Sequence, residues 1–262
     1  MCRALPGTFG RMSQRLSRAV ADLLPKPLLG AVIRRLYPRV EPELGRLAEF
    51  VPDGGTAVDV GGWFGPWTAR LLRRADRVVT VEADPGLARL LERAFPTARV
   101  VAAAASDRDG STTLWSPPAG AIVGISSVEH GAAGSVSATV PRVRIDDLSL
   151  SDVRFMKFDI EGHELAALLG AERTIRRDLP VLLLELEARH QPIEPVITLL
   201  SGWGYRGEVL LDGRWRPLEG FDLASHQRSH AVQLARSFPS RILFPGARYV
   251  NSVLFRHYSG AG

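Results

Sequence analysis

Residues 155–164, FMKFDIEGHE, bring one lysine, three carboxylates and one histidine into ten positions at the end of an apolar segment. Lys157 is one of only two lysines in the chain. Carboxylates and imidazoles bind or remove protons near neutral pH, whereas an apolar strand needs neither group. This segment is therefore the first candidate for chemistry.

The predicted strand 153–160 alternates its side chains, so Lys157 and Asp159 share one face and can pair. Asp159 then lies nearest the strand end, where open α/β sheets bind their ligands. We predict Asp159 and His163 as catalytic residues and Glu161 as a positioning group. Asp159 or Glu161 could either orient His163 or bind the substrate. The alternative is a helix start stabilised by caps and salt bridges.

A divalent metal is a second interpretation of the same carboxylates. Asp159, Glu161 and Glu185 would offer only oxygen ligands, which suits Mg²⁺, although their spacing does not require a metal. Glu129 and His130 lie in a low-complexity segment before this strand. They could reach the substrate from that segment, or lie on the surface of a loop.

A glycine-rich turn follows another predicted strand, in the order Asp59, Val60, Gly61, Gly62, Trp63, Phe64 and Gly65. Glycines there let backbone N–H groups approach a ligand closely. A nicotinamide dinucleotide fingerprint needs glycines at relative positions 1, 3 and 6, and this turn has them at 1, 2 and 5. Asp59 also suits a cationic ligand group better than a pyrophosphate.

Acidic residues end the next two predicted strands as well. Glu82, followed by Ala83, can accept both hydroxyl protons of a ribose, and Asp107, preceded by Ser106, can accept from an adenine amine. Each carboxylate alone could equally cap a helix or lie in a turn. Together, the three strand ends predict a site for a nucleoside whose other end is an amino acid.

The elements that position these residues alternate between strand and helix from Glu41 onward, which predicts a mostly parallel sheet with helices on both faces and an antiparallel terminal strand. The helices are predicted at 66–74, 85–94, 162–176 and 195–202. The seven strands are predicted at 56–60, 77–81, 98–103, 153–160, 181–187, 205–211 and 248–256. Residues 106–140 break the alternation, apart from a short strand at 111–115, and predict either a loop that covers the substrate or a passive insertion.

The basic charge is confined to the N-terminal region. Residues 1–40 contain eight basic side chains and one acid, so the remaining chain has a net charge of about −2 out of a total of +5. We therefore divide the chain into a basic helical arm or cap, 1–45, and one domain, 46–262. The arm's amphipathic spacing favours packing or oligomerisation, a lid, or a surface for an anionic or lipid-linked substrate.

The sequence also predicts the compartment. Charged residues interrupt every apolar run before it reaches the length of a signal peptide core or a membrane span. The single cysteine is Cys2, so we expect a cytoplasmic protein without disulfides.

The order of the motifs resembles the FkbM family of S-adenosylmethionine-dependent methyltransferases over residues 51–187. The motifs are VDVGGWFG, VEADP, AASDRDG, VRIDDL, FMKFDIEGHE and PVLLLEL. The resemblance implies a Rossmann-like class I methyltransferase fold with S-adenosylmethionine as cofactor. Asp59, Gly61 and Gly65 would line the methionine end, Glu82 would hold the ribose, and Asp107 would lie near adenine. The family usually has a small residue and then Asn where this chain has Gly62 and Trp63.

The resemblance also implies methylation of a hydroxyl group, on a sugar or a glycosylated natural product. Two alternatives remain at this point, a nucleic-acid (RNA) methyltransferase and a cofactor-binding protein without transferase activity. The slightly acidic domain, the absence of a D/N-P-P-Y/F motif and the lack of a core cysteine argue against nucleic acid. We expect a small-molecule partner, no membrane span, and oligomerisation, if any, through the arm.

Overall fold

The computed structural model describes residues 25–116, 127–129, 135–233 and 249–258. The helical pattern predicted before residue 25, most of the low-complexity stretch, and His130 lie outside these ranges.

One large sheet organises the domain. Its strands are β1 (Thr56–Val60), β2 (Arg77–Val81), β3 (Arg99–Val101), β7 (Val153–Phe158), β8 (Val181–Glu185), β9 (Tyr205–Leu211), β10 (Arg214–Pro217) and β11 (Ser252–His257). Their order is β10-β9-β11-β8-β7-β1-β2-β3. Strands β3, β2, β1, β7 and β8 are parallel to one another, and β11 is antiparallel to both β8 and β9. The predicted mostly parallel sheet with an antiparallel terminal strand is therefore confirmed.

An eighth strand, β10, extends the seven that were predicted. It folds back on β9 through Asp212 and Gly213, whose φ angles are 47° and 76°. An Asp-Gly pair with two positive φ angles is the usual connection of a two-residue hairpin. The sequence contains this turn signal, so β10 could have been predicted from it.

A second, smaller sheet occupies the region where the alternation breaks. It contains β4 (Ala104–Ala105), β5 (Gly110–Ser116) and β6 (Val136–Val143), in the order β4-β6-β5. The short strand predicted at 111–115 is confirmed as β5, while β6 was not predicted. Ser127 forms an isolated bridge to Trp115, which places residues 127–129 beside this sheet.

The helices are α1 (Lys26–Leu36), α2 (Thr68–Leu71), α3 (Pro85–Ala94), α4 (Glu164–Leu169), α5 (Glu172–Asp178), α6 (Glu194–Gly202) and α7 (Leu223–His230). The α3 prediction is confirmed residue for residue, and α2 is shorter than predicted. The single helix predicted at 162–176 was wrong, because the chain turns between α4 and α5. The Gly170 carbonyl accepts from the Asp146 N–H there, and the Asp146 carboxylate accepts from the Thr174 N–H at 2.8 Å.

The core lies on both faces of the sheet. Phe155 packs with Trp67 and Leu183 on one face, whereas Met156 and Phe158 pack on the other. This is the alternation predicted for β7.

The N-terminal region packs directly on the domain. Ile33 of α1 is buried against Phe64 and Leu90, and Leu44 and Leu47, in the turns that follow α1, join the cluster around Trp67. The division between residues 45 and 46 stays a prediction, but the chain on both sides of it contributes to the core.

Candidate active site

The glycine turn after β1 brings the ends of two strands together. Gly61 has a φ of 87°, and a Cβ at this position would lie 1.9 Å from the carbonyl oxygen of Asp159. Gly62 is equally confined, because its Cβ would lie 2.3 Å from Thr80. Gly61 therefore allows the turn to lie directly against the end of β7, and Gly62 allows it to lie against β2.

Trp63 occupies the position at which the resemblance leads one to expect Asn. Its φ of 48° lies in the left-handed region, which costs a non-glycine residue about 1–3 kcal/mol. Its N–H donates to Glu82 Oε2 at 2.7 Å, and its ring lies 5.3 Å from Tyr37 and 5.1 Å from Phe64. The indole thus joins the glycine turn to the N-terminal region, which gives a structural reason for tryptophan here.

Glu82 lies at the end of β2 and is almost fully buried. Oε2 accepts from Trp63 and Oε1 accepts from the Asp84 N–H at 2.8 Å. Burial raises the pKa of Glu82 to about 7, although these two hydrogen bonds oppose the shift. Each oxygen accepts one N–H and keeps a second lone pair, and the contact of Glu82 with a ribose stays a prediction.

Asp59 is fully buried within β1, before the turn. Its Oδ2 accepts from the Thr68 hydroxyl at 2.6 Å, while Oδ1 has no hydrogen-bond partner among the described residues. Burial raises the pKa of Asp59, and the charge of Lys157, its partner in the register of β1 and β7, opposes the shift. The carboxylate therefore lies next to Lys157, and its predicted contact with a methionine group stays a prediction.

Ser106 and Asp107 follow β4, at the edge of the smaller sheet. The buried Ser106 hydroxyl lies 3.1 Å from Asp107 Oδ1 and 3.1 Å from His163 Nε2. Ala83, after β2, packs against the cluster formed by Leu114 and Val140. Glu82 and Ala83 thus follow a strand of the large sheet, whereas Ser106 and Asp107 follow a strand of the smaller sheet rather than the third predicted strand.

His163 is held from both sides. Nδ1 lies 2.5 Å from Glu129 Oε1, and Nε2 lies 3.1 Å from the Ser106 hydroxyl, whose own proton is donated to Asp107 Oδ1. The prediction that Asp159 or Glu161 orients His163 was wrong, because both ring nitrogens have other partners. Glu129 reaches His163 from the segment between β5 and β6, and its contact with a substrate stays a prediction.

Lys157 and Asp159 form the ion pair that the alternation predicted, with 2.7 Å between Nζ and Oδ2. The ammonium also lies 5.5 Å from the Trp67 ring centroid. Burial alone would lower the pKa of Lys157, but Asp159 and Glu41 raise it more, so the net pKa lies above its ordinary value. Lys157 therefore stays charged among these carboxylates.

Glu41 is the site residue that the sequence did not reveal. Carboxylate oxygens of Glu41, Asp159 and Glu185 lie within 4.8 Å of one another, and we call these three residues the carboxylate group. Glu41 comes from the turns after α1, and its Oε2 accepts from Trp67 Nε1 at 2.7 Å. No spacing in the sequence connects Glu41 with the other two carboxylates.

Burial also shifts the titration of the carboxylate group. It raises the pKa of Glu41 to about 7, against the opposing charge of Lys157. It raises the pKa of Glu185 well above its ordinary value, and Asp159 adds to that shift. The side-chain amide of Asn251, the residue before β11, donates a hydrogen bond to Glu185 Oε1.

Glu161 does not belong to the carboxylate group. Its φ is 52°, and its Oε2 lies 2.8 Å from His190 Nε2. Burial raises the pKa of Glu161, opposed by His190, whose own pKa is raised by this contact. The predicted metal set of Asp159, Glu161 and Glu185 is thus only partly assembled, with Glu41 in the place of Glu161.

Glu164 fits the capping interpretation of this segment. Its carboxylate accepts from the Gly162 N–H at 3.1 Å and from the Ile160 N–H at 3.3 Å. Burial raises the pKa of Glu164 to about 7 despite these hydrogen bonds. Of the three acids in residues 155–164, Glu164 is therefore the one that shapes the turn.

The family model described as the methyltransferase FkbM domain matches residues 53–206. That span is more than half of the chain and includes the glycine turn, Glu82, the Lys157–Asp159 pair and Glu185. This chain belongs to the FkbM methyltransferase family. The family resemblance noted in the sequence is confirmed, and the family supports a methyltransferase that uses S-adenosylmethionine.

Solved structures resemble the chain at low identity. A methyltransferase FkbM from Methylobacillus flagellatus KT is 21% identical with a TM-score of 0.45, covering 63% of this chain and 43% of its own. SMU.1697c from Streptococcus mutans, a putative methyltransferase in complex with SAH, is 8% identical with a TM-score of 0.45. The match covers 84% of this chain and 97% of SMU.1697c. An rRNA methylase from Streptococcus thermophilus is 11% identical with a TM-score of 0.40. The match covers 68% of this chain and 92% of the methylase.

The match to the Methylobacillus flagellatus protein spans less than half of that protein's length. None of the curated proteins matches this chain. Within the described ranges, every helix is too short or too polar to cross a bilayer.

Proposed function

We propose that this FkbM family protein transfers a methyl group from S-adenosylmethionine to a hydroxyl group of a sugar or a glycosylated natural product. The observation that carries the proposal is the position of the carboxylate group, Glu41, Asp159 and Glu185. It lies at the ends of β7 and β8, and the Asp159 backbone touches the glycine turn at Gly61. An acceptor bound by these oxygens would thus lie next to a cofactor held at that turn.

The cofactor end would be held by the residues at the ends of β1, β2 and β4. Glu82 would bind the ribose, Ser106 and Asp107 would lie near adenine, and the methionine end would follow the glycine turn. The full proposed set is Asp59, Gly61, Gly62, Gly65, Glu82, Ala83, Ser106 and Asp107. When bound, the cofactor supplies an electrophilic methyl group on a good leaving group, so the protein's task is mainly alignment.

A hydroxyl acceptor suits the carboxylate group for a chemical reason. A neutral alcohol is a weak nucleophile, and a carboxylate can accept its hydrogen bond and remove its proton during transfer. Asp159 is held in place by Lys157 and is our first choice for this role. Glu161 and His163, whose partners are His190, Glu129 and Ser106, complete the proposed catalytic set.

Nucleic acid fits this edge of the sheet less well. Glu161 and Glu187 approach His190 beside the carboxylate group, so several carboxylates surround the proposed acceptor side. Phosphates would be repelled there, whereas the hydroxyls of a sugar can donate to these oxygens. We therefore propose a small-molecule acceptor and, as predicted from composition, a cytoplasmic enzyme.

A metal-assisted form of the reaction uses the same residues. Three carboxylate oxygens within 4.8 Å of one another suit one hard cation, so Mg²⁺ would be held by Glu41, Asp159 and Glu185. EDTA added to the transfer assay distinguishes this form from direct proton removal by a carboxylate.

The test has a binding arm and a transfer arm. Retention of labelled S-adenosylmethionine should be lost in Glu82→Ala and kept in Glu92→Ala, a matched change on the exposed side of α3. Methyl transfer to a panel of sugars and glycosylated natural products should be lost in Asp159→Asn and kept in Asp53→Asn, an exposed aspartate.

Three results would contradict the proposal. Unchanged cofactor retention in Glu82→Ala would remove the cofactor site. Full transfer by Asp159→Asn would remove the catalytic assignment. Methylation of RNA, with no transfer to any hydroxyl compound of the panel, would replace the acceptor class.

A further inference from the structure

The outward face of α1 combines exposed apolar and basic side chains. Leu28 is 49% exposed and Val32 is 39% exposed, and both lie with Ala31 and Arg35 on one side of the helix. The opposite side packs on the domain through Ile33. The exposed apolar side chains are therefore not needed to attach α1.

Cations continue this apolar stripe. Arg35 lies on it and Arg39 follows in the turn after α1, both exposed, while residues 25–40 contain no acid. Arg34 points inward instead, donating to the Phe64 carbonyl at 3.0 Å and lying 5.3 Å from the Phe95 ring. The outer face thus combines an apolar stripe with basic residues at its C-terminal end.

The sequence before α1 has the same character. Met12, Leu16, Val20 and Leu23 recur at helical spacing among four arginines and a single acid, Asp22. Since residues 41–262 have a net charge of about −2, the domain itself supplies no general attraction for anions.

We propose that the outward face of α1, defined by Leu28, Ala31, Val32 and Arg35 and continued by Arg39 in the turn after the helix, binds the surface of a membrane that contains anionic lipids. Apolar side chains enter the boundary between headgroups and acyl chains, while flanking cations contact the lipid phosphates. This surface binding needs no membrane-spanning helix.

Other occupants use this face less fully. A phosphate backbone would engage the cations and leave Leu28 and Val32 in water. A second copy related by two-fold symmetry would bring two basic faces together, which like-charge repulsion disfavours. An anionic bilayer is complementary to both parts of the face.

The other side of α1 connects this surface to the site. Gly30 and Ile33 lie against Phe64, in the glycine turn, and Tyr37 packs on Trp63. A membrane bound by the outward face would therefore hold the cofactor side of the site close to the bilayer. This inference does not depend on the acceptor or the reaction proposed above.

Cosedimentation of the full chain with vesicles tests the proposal. We expect binding to vesicles of phosphatidylcholine mixed with phosphatidylglycerol, little binding to phosphatidylcholine alone, and weaker binding as salt rises. Arg35→Glu/Arg39→Glu should weaken partitioning at least about tenfold, and Leu28→Ser/Val32→Ser should weaken it severalfold.

Matched variants control for charge and hydrophobicity. Arg214→Glu/Arg216→Glu makes the same charge change on the exposed strand β10, and Leu169→Ser/Val232→Ser removes two other exposed apolar side chains. Both should bind vesicles like the unmodified chain. Circular dichroism melting establishes that each variant folds, and Arg35→Gln/Arg39→Gln replaces the charge reversal if that variant does not.

Several outcomes would overturn the proposal. These are wild-type binding by the α1 variants, equal loss in the Arg214/Arg216 control, and displacement of the protein from vesicles by RNA fragments at lower concentration than by free lipid headgroups. A dimer in light scattering that the α1 changes dissociate, without any vesicle binding, would assign the face to a second copy.

Discussion

The two sides of the proposed site are held together by different forces. On the cofactor side, backbone N–H groups of Trp63 and Asp84 fix Glu82 at 2.7 and 2.8 Å. On the acceptor side, Lys157 is set among the carboxylates of Asp159, Glu41 and Glu185. Backbone hydrogen bonds persist as long as the backbone conformation is unchanged. The balance of buried charges, by contrast, changes whenever one of these side chains gains or loses a proton or is substituted. The acceptor side should therefore be the more sensitive to charge, and the cofactor side the more sensitive to backbone shape.

The largest effect is expected from Lys157→Met. It removes the buried cation and leaves its carboxylates uncompensated, which should lower the free energy of unfolding by about 3–5 kcal/mol. Urea denaturation measures the change, and Lys26→Met on the exposed start of α1 is the control, expected within about 0.5 kcal/mol of the unmodified chain. Equal stability of both variants would mean that charge balance does not hold the acceptor side.

A backbone change should act most strongly at Gly61. In Gly61→Ala the new Cβ would meet the Asp159 carbonyl at a φ of 87°, so we expect a loss of about 2–4 kcal/mol and of cofactor retention. Gly202→Ala is the matched control, since no atom lies within 4 Å of its Cβ position. Tolerance of Gly61→Ala would contradict the close contact between the turn and β7.

The pH dependence of the unfolding free energy should depend on one carboxyl group of the acceptor side, Glu41, and one of the cofactor side, Glu82. Burial raises the pKa of Glu41 and of Glu82 from 4.5 to about 7, so the folded chain binds more protons than the unfolded chain between these values. Stability therefore falls as pH rises from 4.5 to about 7, and each of the two carboxyl groups contributes a slope of up to about 1.4 kcal/mol per pH unit.

Unfolding free energies measured across this range in Glu82→Gln and Glu41→Gln should show a smaller slope than in the unmodified chain. Glu92→Gln, on the exposed side of α3, should leave the slope unchanged. A slope that neither variant reduces would place the titrating groups elsewhere.

The smallest effect is expected from Trp67→Phe. It keeps most of the aromatic packing and removes the N–H that donates to Glu41 at 2.7 Å, which should cost about 1–2 kcal/mol. Trp215→Phe removes a similar bond to the exposed Glu49 and should cost less. If the two changes cost the same, the buried acceptor side is not the more sensitive one.

Prediction from the sequence was best where the signal is local. The bounds of β1, β2, β9 and α3 match, because short apolar or β-branched runs and a Pro start define them without reference to distant residues. The break between α4 and α5 depends instead on Asp146, 24 residues before Gly170, which accounts for the error there. Strand β6 pairs with β5 and β4, and the alternation of Val136, Ala138 and Val140 with polar residues is a strand signal that the prediction did not use.

The sequence by itself determined the family, the order of strand ends, and the Lys157–Asp159 pair, because residues two apart on a strand share a face. Tertiary structure alone decided which carboxylates meet. Glu41 arrives from the N-terminal turns, and the positive φ of Glu161 accompanies its pairing with His190 outside the carboxylate group. Contacts between residues more than a hundred positions apart leave no periodic pattern in the chain, because they are set by how packed elements fit rather than by any local geometry.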